Sequence, residues 1–431
     1  MAQISSLRTE IKFKKTEIGE IPVDWEISKL GKLAFIQGGF AFESKDYKTN
    51  GVPLVRISNI TSNGIKLDEC VFLSYEFLQK YKNFQIELGD ILVAMSGATT
   101  GKIGVFHSNL PVLLNQRVGR FVIKETNRLD KKYLAHIVLT KKFKEHLLKD
   151  AEGGAQPNVS GRSIENIFIP LPPLPEQKKI AEILSIVDEA IEKKKEAIEK
   201  TKELKKGLMQ ELLTRGIGHI KFKETDIGKI PEEWELVNLN KIGKLKGGGG
   251  FPEKYQGYTD KEYLFIKVSD MNLPQNDIYI KKSLNTIDEE ILKKLGCNLF
   301  PKDSIIFAKV GAALLLNRRR ILTSASCIDN NMMGLIVNRE NDPKFYFYIL
   351  QRIDFAKYVF PGALPSVNQS VLGNIRVVRP SKTEQNKIVQ KITSIDEKIE
   401  AEIKQNEKLQ VVRKGLMQVL LTGKIRVNLK C

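Results

Sequence analysis

The sequence predicts an α+β protein in which two similar α/β lobes alternate with two long helices that pair as an antiparallel coiled coil. Three observations lead there. The stretch from Pro170 to Thr214 recurs as Val378 to Thr422 after a shift of 208 residues, without gaps and with 19 of 45 positions identical. Within each copy apolar residues return in alternating steps of four and three, which keeps one stripe on one helical face. Each copy follows a longer, less regular stretch whose motifs also recur, at an offset of 209 from Lys12 onward.

Residues 1 to 11 have no counterpart. The repeat opens with KFKKTEIGEIPVDWE (12–26), matched by KFKETDIGKIPEEWE (221–235). Trp25 and Trp234, the two tryptophans, read as packing residues where the chain enters a lobe rather than as base-stacking groups. A glycine-rich turn and then a β-branched run, at 38–60 and again at 247–271, predict a buried strand. A second strand and glycine-rich turn begin at Asp90 (DILVAMSGATTGKIGVF) and at Asp303 (DSIIFAKVGAALLLNRRR). A helix is expected from about Asp130 to Lys149, with its counterpart from about Pro343 to Val359. The lobes close with GGAQPNVSGRSIENIFIPLP and PGALPSVNQSVLGNIRVVRP. This places a first lobe at 1–170, a helix at 171–215, a second lobe at 216–380, and a helix with a C-terminal tail at 381–431.

The seam of the first helix is Ile180, Leu184, Val187, Ile191, Lys194, Ile198, Thr201, Lys205, Leu208 and Leu212. That of the second is Ile388, Ile392, Ile395, Ile399, Glu402, Asn406, Leu409, Arg413, Leu416 and Leu420. Polar residues interrupt the middle of both, and each helix is the best partner for the other. Ser381-x-x-Glu384 fits a capping box, Pro175 suits a first turn, and Gly216 and Gly423 stand just past the last apolar positions. Gly207 and Gly415 lie at matching interior places, where glycine costs about 1 kcal/mol relative to alanine. They read as points of close helix approach, a tolerated surface glycine being the other reading.

The chain has 431 residues, 42% of them hydrophobic, enough for two or three ordinary domains. The N-terminus has no apolar core of signal-peptide length and no apolar run is long enough to span a bilayer, so a cytoplasmic protein with no membrane partner is expected. Cys70, Cys297, Cys327 and Cys431 are scattered without a CxxC pair, which predicts no zinc or other metal site, no disulfide framework and inert thiols. The net charge of +18 is unevenly placed: residues 1–175 carry +6 and 215–383 carry +8, whereas the helix at 176–214 is neutral. Two basic modules on a neutral frame are the footprint of a polyanion-binding protein.

Candidate nucleic-acid contacts follow from residue chemistry. Lys45 and Tyr47, with Lys254 and Tyr255 opposite them, follow the first glycine-rich turns. Arg56, Ser58 and Asn59 fall opposite Lys267, Ser269 and Asp270, where they could reach phosphates or base edges or form plain solvated strand ends. The run GATTGK lacks phosphate-loop spacing, since Gly97 and Gly101 have three residues between them and Ile103 follows Lys102. It is expected instead to present Ser96, Thr99, Thr100 and Lys102 to a nucleic-acid backbone. In the second lobe Lys309, Asn317 and the cluster Arg318, Arg319 and Arg320 are the matching phosphate candidates. Asn115, Gln116 and Arg117, and their counterparts Asn330 and Asn331, have the side chains that make bidentate contacts with adenine and guanine, or they are ordinary polar loops.

A lobe ending in GGAQPNV and IFIPLPPLPEQKKI, followed by a long helix finishing in KGLMQELLT, resembles the specificity subunit of type I restriction-modification systems. So do IGEIPVDWE at the start of a lobe and the repetition of the whole unit. The resemblance implies that each lobe is a target-recognition domain for one half of a bipartite double-stranded DNA site, and that the helices fix the spacing. It implies no catalysis and no cofactor in this chain. S-adenosylmethionine, ATP and Mg would belong to two methyltransferase subunits and to restriction/translocase subunits that it joins. A partner that fuses methylation and cleavage fits as well. The reading of the residues agrees with the absence of chemistry: there is no Asn-Pro-Pro-Tyr or Asp-Pro-Pro-Tyr motif, no Walker loop and no histidine cluster. Competing readings are an enzyme using the Gly97–Lys102 turn on phosphate and a coiled-coil scaffold with RNA-binding lobes.

Overall fold

The computed structural model describes residues 11–61, 64–149, 158–359 and 365–428. The chain forms two compact units, one of residues 1–196 with 404–431 and the other of residues 197–403. Each therefore holds one lobe and a portion of both long helices. Parts of the closing motifs (153–157 and 361–364) and Cys431 lie outside the described residues.

In the first unit the aliphatic run Ile91–Ala94 is buried along its whole length, as a central strand should be. It pairs antiparallel with Ile103–Val105 and Val118–Ile123, and Ala34–Gly38 completes a four-stranded sheet. A second four-stranded sheet is centred on Val52–Val55 and Val112–Leu114, which run parallel. The single helix expected over 130–149 is two, α1 (Lys131–Val138) and α2 (Lys141–Lys149). They part at Thr140, whose hydroxyl accepts from the Phe143 N–H at 3.2 Å and so starts a new helix.

The second unit repeats the plan with variation. A five-stranded sheet has Ile305–Ala308 between Met332–Val337 and Arg319–Leu322. In a three-stranded sheet Tyr263–Ile266 runs parallel to Ser326–Ile328. The long first helix is α3 (Leu174–Arg215), the counterpart of α1 and α2 is α4 (Pro343–Arg352), and the second long helix is α5 (Lys382–Leu420). Helix α4 stops short of the expected Val359, because Asp354 accepts from the Ala356 N–H and starts a separate 3₁₀ turn at Phe355–Tyr358.

Every seam position of α3 and α5 is buried or half-buried. In the first unit Ile180 and Leu184 share a core with Leu416 and Leu420, and Arg413 forms an ion pair with Asp188. In the second unit Leu212 shares a core with Ile388 and Ile392, the Thr201 hydroxyl meets Glu402 at 3.4 Å, and Lys205 reaches Asp396 at 2.5 Å. Within each unit, positions advance along one helix as they recede along the other, so the pairing is antiparallel. Gly207 and Gly415 do not serve it. A Cβ added at either would meet nothing within 4 Å, so both lie on open helix surface rather than at a close approach.

Each lobe is fixed to a helix N-terminus by the same pair of side chains. Glu176, 1% exposed, accepts from the Trp25 indole N–H at 3.1 Å and from Arg426 at 2.7 Å, and Arg426 also holds Asp24. This brings the tail just after Gly423 against the start of the first lobe. Glu384 accepts from the Trp234 indole N–H at 2.9 Å and from the Ile217 N–H at 3.1 Å, and it pairs with His219 at 2.8 Å. The expected capping box at Ser381 is thus half made: Ser381 accepts from the Glu384 N–H, but the Glu384 carboxylate turns to the lobe. The neighbouring Gln177 and Gln385 accept from the Asp130 and Asp342 N–H groups, tying in the loops that lead to α1 and α4.

Candidate nucleic-acid interface

In both lobes the loops at one end of the sheets are stitched into a platform by backbone hydrogen bonds. In the first lobe the Gly39 and Phe40 N–H groups donate to Val118 and Leu114, Gln116 donates to Phe40, and Met95 donates to Arg117. Val159 closes the set on Met95, beside a bridge between Ser96 and Asn158. Gly39 must be glycine, because a Cβ there would sit 2.3 Å from the Leu114 and Asn115 carbonyl oxygens. In the second lobe Gly248 and Gly249 donate to Met332 and Ile328, Lys309 donates to Asn331, and Val367 donates to Lys309, beside a Val310–Ser366 bridge. Gly248 is confined in the same way, 2.0 Å from Asp329 O. Two platforms of one design thus arise from equivalent residues.

The first platform gathers Ser96, Gln116, Arg117 and Asn158, the last three exposed. The second gathers Lys309, Asn330, Asn331 and Ser366, with both asparagines exposed. Asn298 joins it by donating to Gly247 O at 3.0 Å. Asp329 shapes the Asn330–Asn331 turn by accepting from the Asn331 N–H at 2.8 Å, and burial holds its carboxyl above the usual carboxylate range. Asn158, Asn298 and Ser366 escape the sequence reading. Asn158 and Ser366 occupy matching places in the two closing motifs, which is the signal that could have found them.

Other candidates lie elsewhere or are engaged by the fold. Asn59 is 2% exposed and its side chain accepts from the Arg56 N–H, closing the turn after the strand. Asp270 does the same for Lys267. Ser58 and Ser269 stay exposed. Asn115 is buried against Arg117 N. The Thr99 hydroxyl donates to Ile57 O and the Thr100 hydroxyl to Gly97 O, so they close the turn, and of the four candidates there Lys102 is the exposed one. The amides of Thr100, Gly101 and Lys102 donate within the turn and its strand. Lys45 pairs with Glu43, and Lys254 covers the Tyr255 ring, whereas Tyr47 packs against the first lobe's second sheet, the one that contains Val52–Val55.

The fold splits the arginine cluster, which does not form one basic surface. Arg319 is 1% exposed, bonded to Asn317 and Ile353 O, and stacked 3.9 Å over Phe355, so it is a core residue. Its burial brings the guanidinium down to about 10. Asn317, with φ of 52°, holds Arg319, Asp354 and the Phe355 N–H. Arg320 donates to the carbonyls of Asn276, Arg319 and Met271. Only Arg318 of the three is exposed.

The architecture is that of a duplicated protein: two lobes of one plan, each clamped at its entry to the N-terminus of a long helix. The sequence profile of the type I restriction modification DNA specificity domain matches residues 22–200 and again residues 231–411. A putative type I restriction enzyme specificity subunit, MjaX, of Methanocaldococcus jannaschii is 30% identical over 97% of this chain and 98% of its own. The MjaIX specificity subunit of the same organism is 26% identical, covering 98% of both. The crystal structure of the S subunit of a type I system from M. genitalium superposes with a TM-score of 0.57 at 16% identity, covering 96% of this chain and 97% of that one. The chain belongs to the family of type I restriction-modification specificity subunits. It is therefore a DNA-binding, non-catalytic component of such a system. No described helix is long and apolar enough to cross a membrane.

Proposed function

We propose that each lobe reads one half of a bipartite double-stranded DNA site through its loop platform, and that the α3–α5 pair sets the distance between the halves. The observation that carries this reading is the duplication of the platform, with Gln116 and Arg117 exposed on one and Asn330 and Asn331 on the other. These side chains have the donor and acceptor pairs that distinguish bases in the major groove. Exposed Lys102 and Arg318 supply phosphate contacts, which position a protein on DNA without reading sequence. The helices dock two methyltransferase subunits, and through the assembly the restriction/translocase subunits. Exposed Ile186, Leu204, Val411 and Val412 give them apolar footing. S-adenosylmethionine, ATP and Mg are bound by those partners.

The test is a change of helix length. Helix α3 has 42 residues, and at about 1.5 Å per residue it spans roughly 63 Å. Inserting four residues between Lys195 and Lys205 lengthens it by ~6 Å. At ~3.4 Å per base pair, the recognised spacer should grow by about one or two base pairs. Sequencing the methylated sites made by the variant with its methyltransferase partners reads the spacer and both half-sites at once. An unchanged spacer in an active variant, or a changed half-site, would remove the helices as the measuring element.

A further inference from the structure

Cys297 and Cys327 are separated by a helical turn, a loop and two strands in sequence, yet their sulfurs lie 3.3 Å apart. Cys327 is buried on the strand Ser326–Ile328, and Cys297 is half-buried just after the helix Glu289–Leu295. Both are free thiols. They sit beneath the second platform. A Cβ on Gly249 would come within 2.5 Å of Cys297 Cβ, so only glycine lets that turn lie on the thiol. Phe251, of the same turn, stacks on Phe265 in the cluster that holds both cysteines.

We propose that this pair is a site of reversible oxidation by hydroperoxides, with Cys297 the attacking thiol and Cys327 the resolving one. The Cys297 thiolate attacks the peroxide: an S–O bond forms, the O–O bond breaks, and the leaving oxygen takes a proton from solvent. Cys327 then attacks the Cys297 sulfenic acid, so that an S–S bond forms, the S–O bond breaks, and the Cys327 proton leaves with the hydroxyl as water. Two electrons pass from the sulfurs to the peroxide. The proposal concerns the thiols themselves and does not depend on how the lobes read DNA.

The surroundings favour this order. With Cys297 ionised, the Cys327 S–H donates to it, and this contact holds the Cys297 thiol down at about 7. The same contact and burial push Cys327 up, so it keeps its proton until the sulfenic acid forms. Burial instead pushes Cys70 up to about 11. At neutral pH Cys297 therefore carries the larger thiolate fraction, and the thiolate is the attacking form. The sulfurs need approach by only about 1.3 Å to reach bonding distance.

The test is peptide mapping of the full chain after titration with hydrogen peroxide at neutral pH. The expected product is an intramolecular Cys297–Cys327 disulfide, removed by dithiothreitol, with Cys70 still reduced. In Cys327→Ser the reaction should stop at a Cys297 sulfenic acid that a 1,3-dione traps, and in Cys297→Ser the Cys327 thiol should survive. Oxidation of Cys297 no faster than Cys70, or the absence of the 297–327 disulfide in the unaltered chain, would overturn the proposal.

Discussion

Arg318, Arg319 and Arg320 are consecutive, yet each meets a different environment, and their substitutions should separate accordingly. Arg319→Ala removes a buried guanidinium with its two partners and its stacking on Phe355, and it should destabilise the protein by about 2–4 kcal/mol in chemical denaturation. Arg318→Ala should leave stability within roughly 0.5 kcal/mol of the parent. It should instead lower affinity for all DNA sequences alike, reducing the slope of log K against log salt by about 0.9. Gln116→Ala and Asn331→Ala should relax selection at one base position each, read from the methylated sites. His136 offers a test of a different kind. It is 5% exposed, 3.8 Å from Asp188, and also near Arg413. Burial lowers its imidazole below the ordinary value, and Arg413 adds to this, whereas Asp188 opposes it. A base held neutral by the fold binds its proton more readily when unfolded, so stability should fall as pH drops below about 6.5. Denaturation from pH 7.5 to 5 should show a smaller loss in His136→Phe than in the parent.

At the scale of elements, the strongest constraint lies where a lobe meets a helix. Glu176 and Glu384 each turn the first turn of a long helix into an acceptor for a tryptophan indole, and the adjacent glutamines tie down the loop before α1 or α4. This accounts for the identity of the Glu-Gln pair in the two repeats and for the presence of a tryptophan at each lobe entry. The closing partners differ: Arg426 of the C-terminal tail serves Glu176, and His219 serves Glu384. Because the Glu384 carboxylate serves three donors, Glu384→Gln should cost about 1–3 kcal/mol, with the midpoint of denaturation as the readout. Gly207→Ala and Gly415→Ala should instead stabilise by up to about 1 kcal/mol, since the added methyl meets open space and alanine is the better helix former. A loss of stability in either would mean the backbone there is closely approached.

For the whole molecule, the decisive property is modularity. Positive charge is concentrated in the lobes, and the helices between them are close to neutral. Replacing residues 243–373 with the equivalent segment of another specificity subunit should therefore change one half-site and leave the other half-site and the spacer as they were. Methylome sequencing of a strain carrying the chimaera checks this. Simultaneous change of both halves would mean that the two lobes do not read independently.

The amino-acid sequence alone determined the repeat, the two long helices, their seam and their ends, because these rest on short-range regularities. Helical periodicity, the glycines at 216 and 423, which take φ of 69°, and the strand-like runs at 52–55 and 91–94 are written within a few residues of where they act. Tertiary structure decided which loop residues face solvent. Asn59, Asn115, Asn317 and Arg319 have the composition of DNA contacts, but they are recruited to close turns or fill the core, and nothing local to Arg319 distinguishes it from Arg318. It also decided that Glu384 binds Trp234 rather than Ser381, that Asn158 lies beside Ser96, and that Cys297 meets Cys327. Each of these juxtapositions joins segments roughly 30 to 150 residues apart. They form only when whole elements pack together, and no pattern of neighbouring residues encodes them.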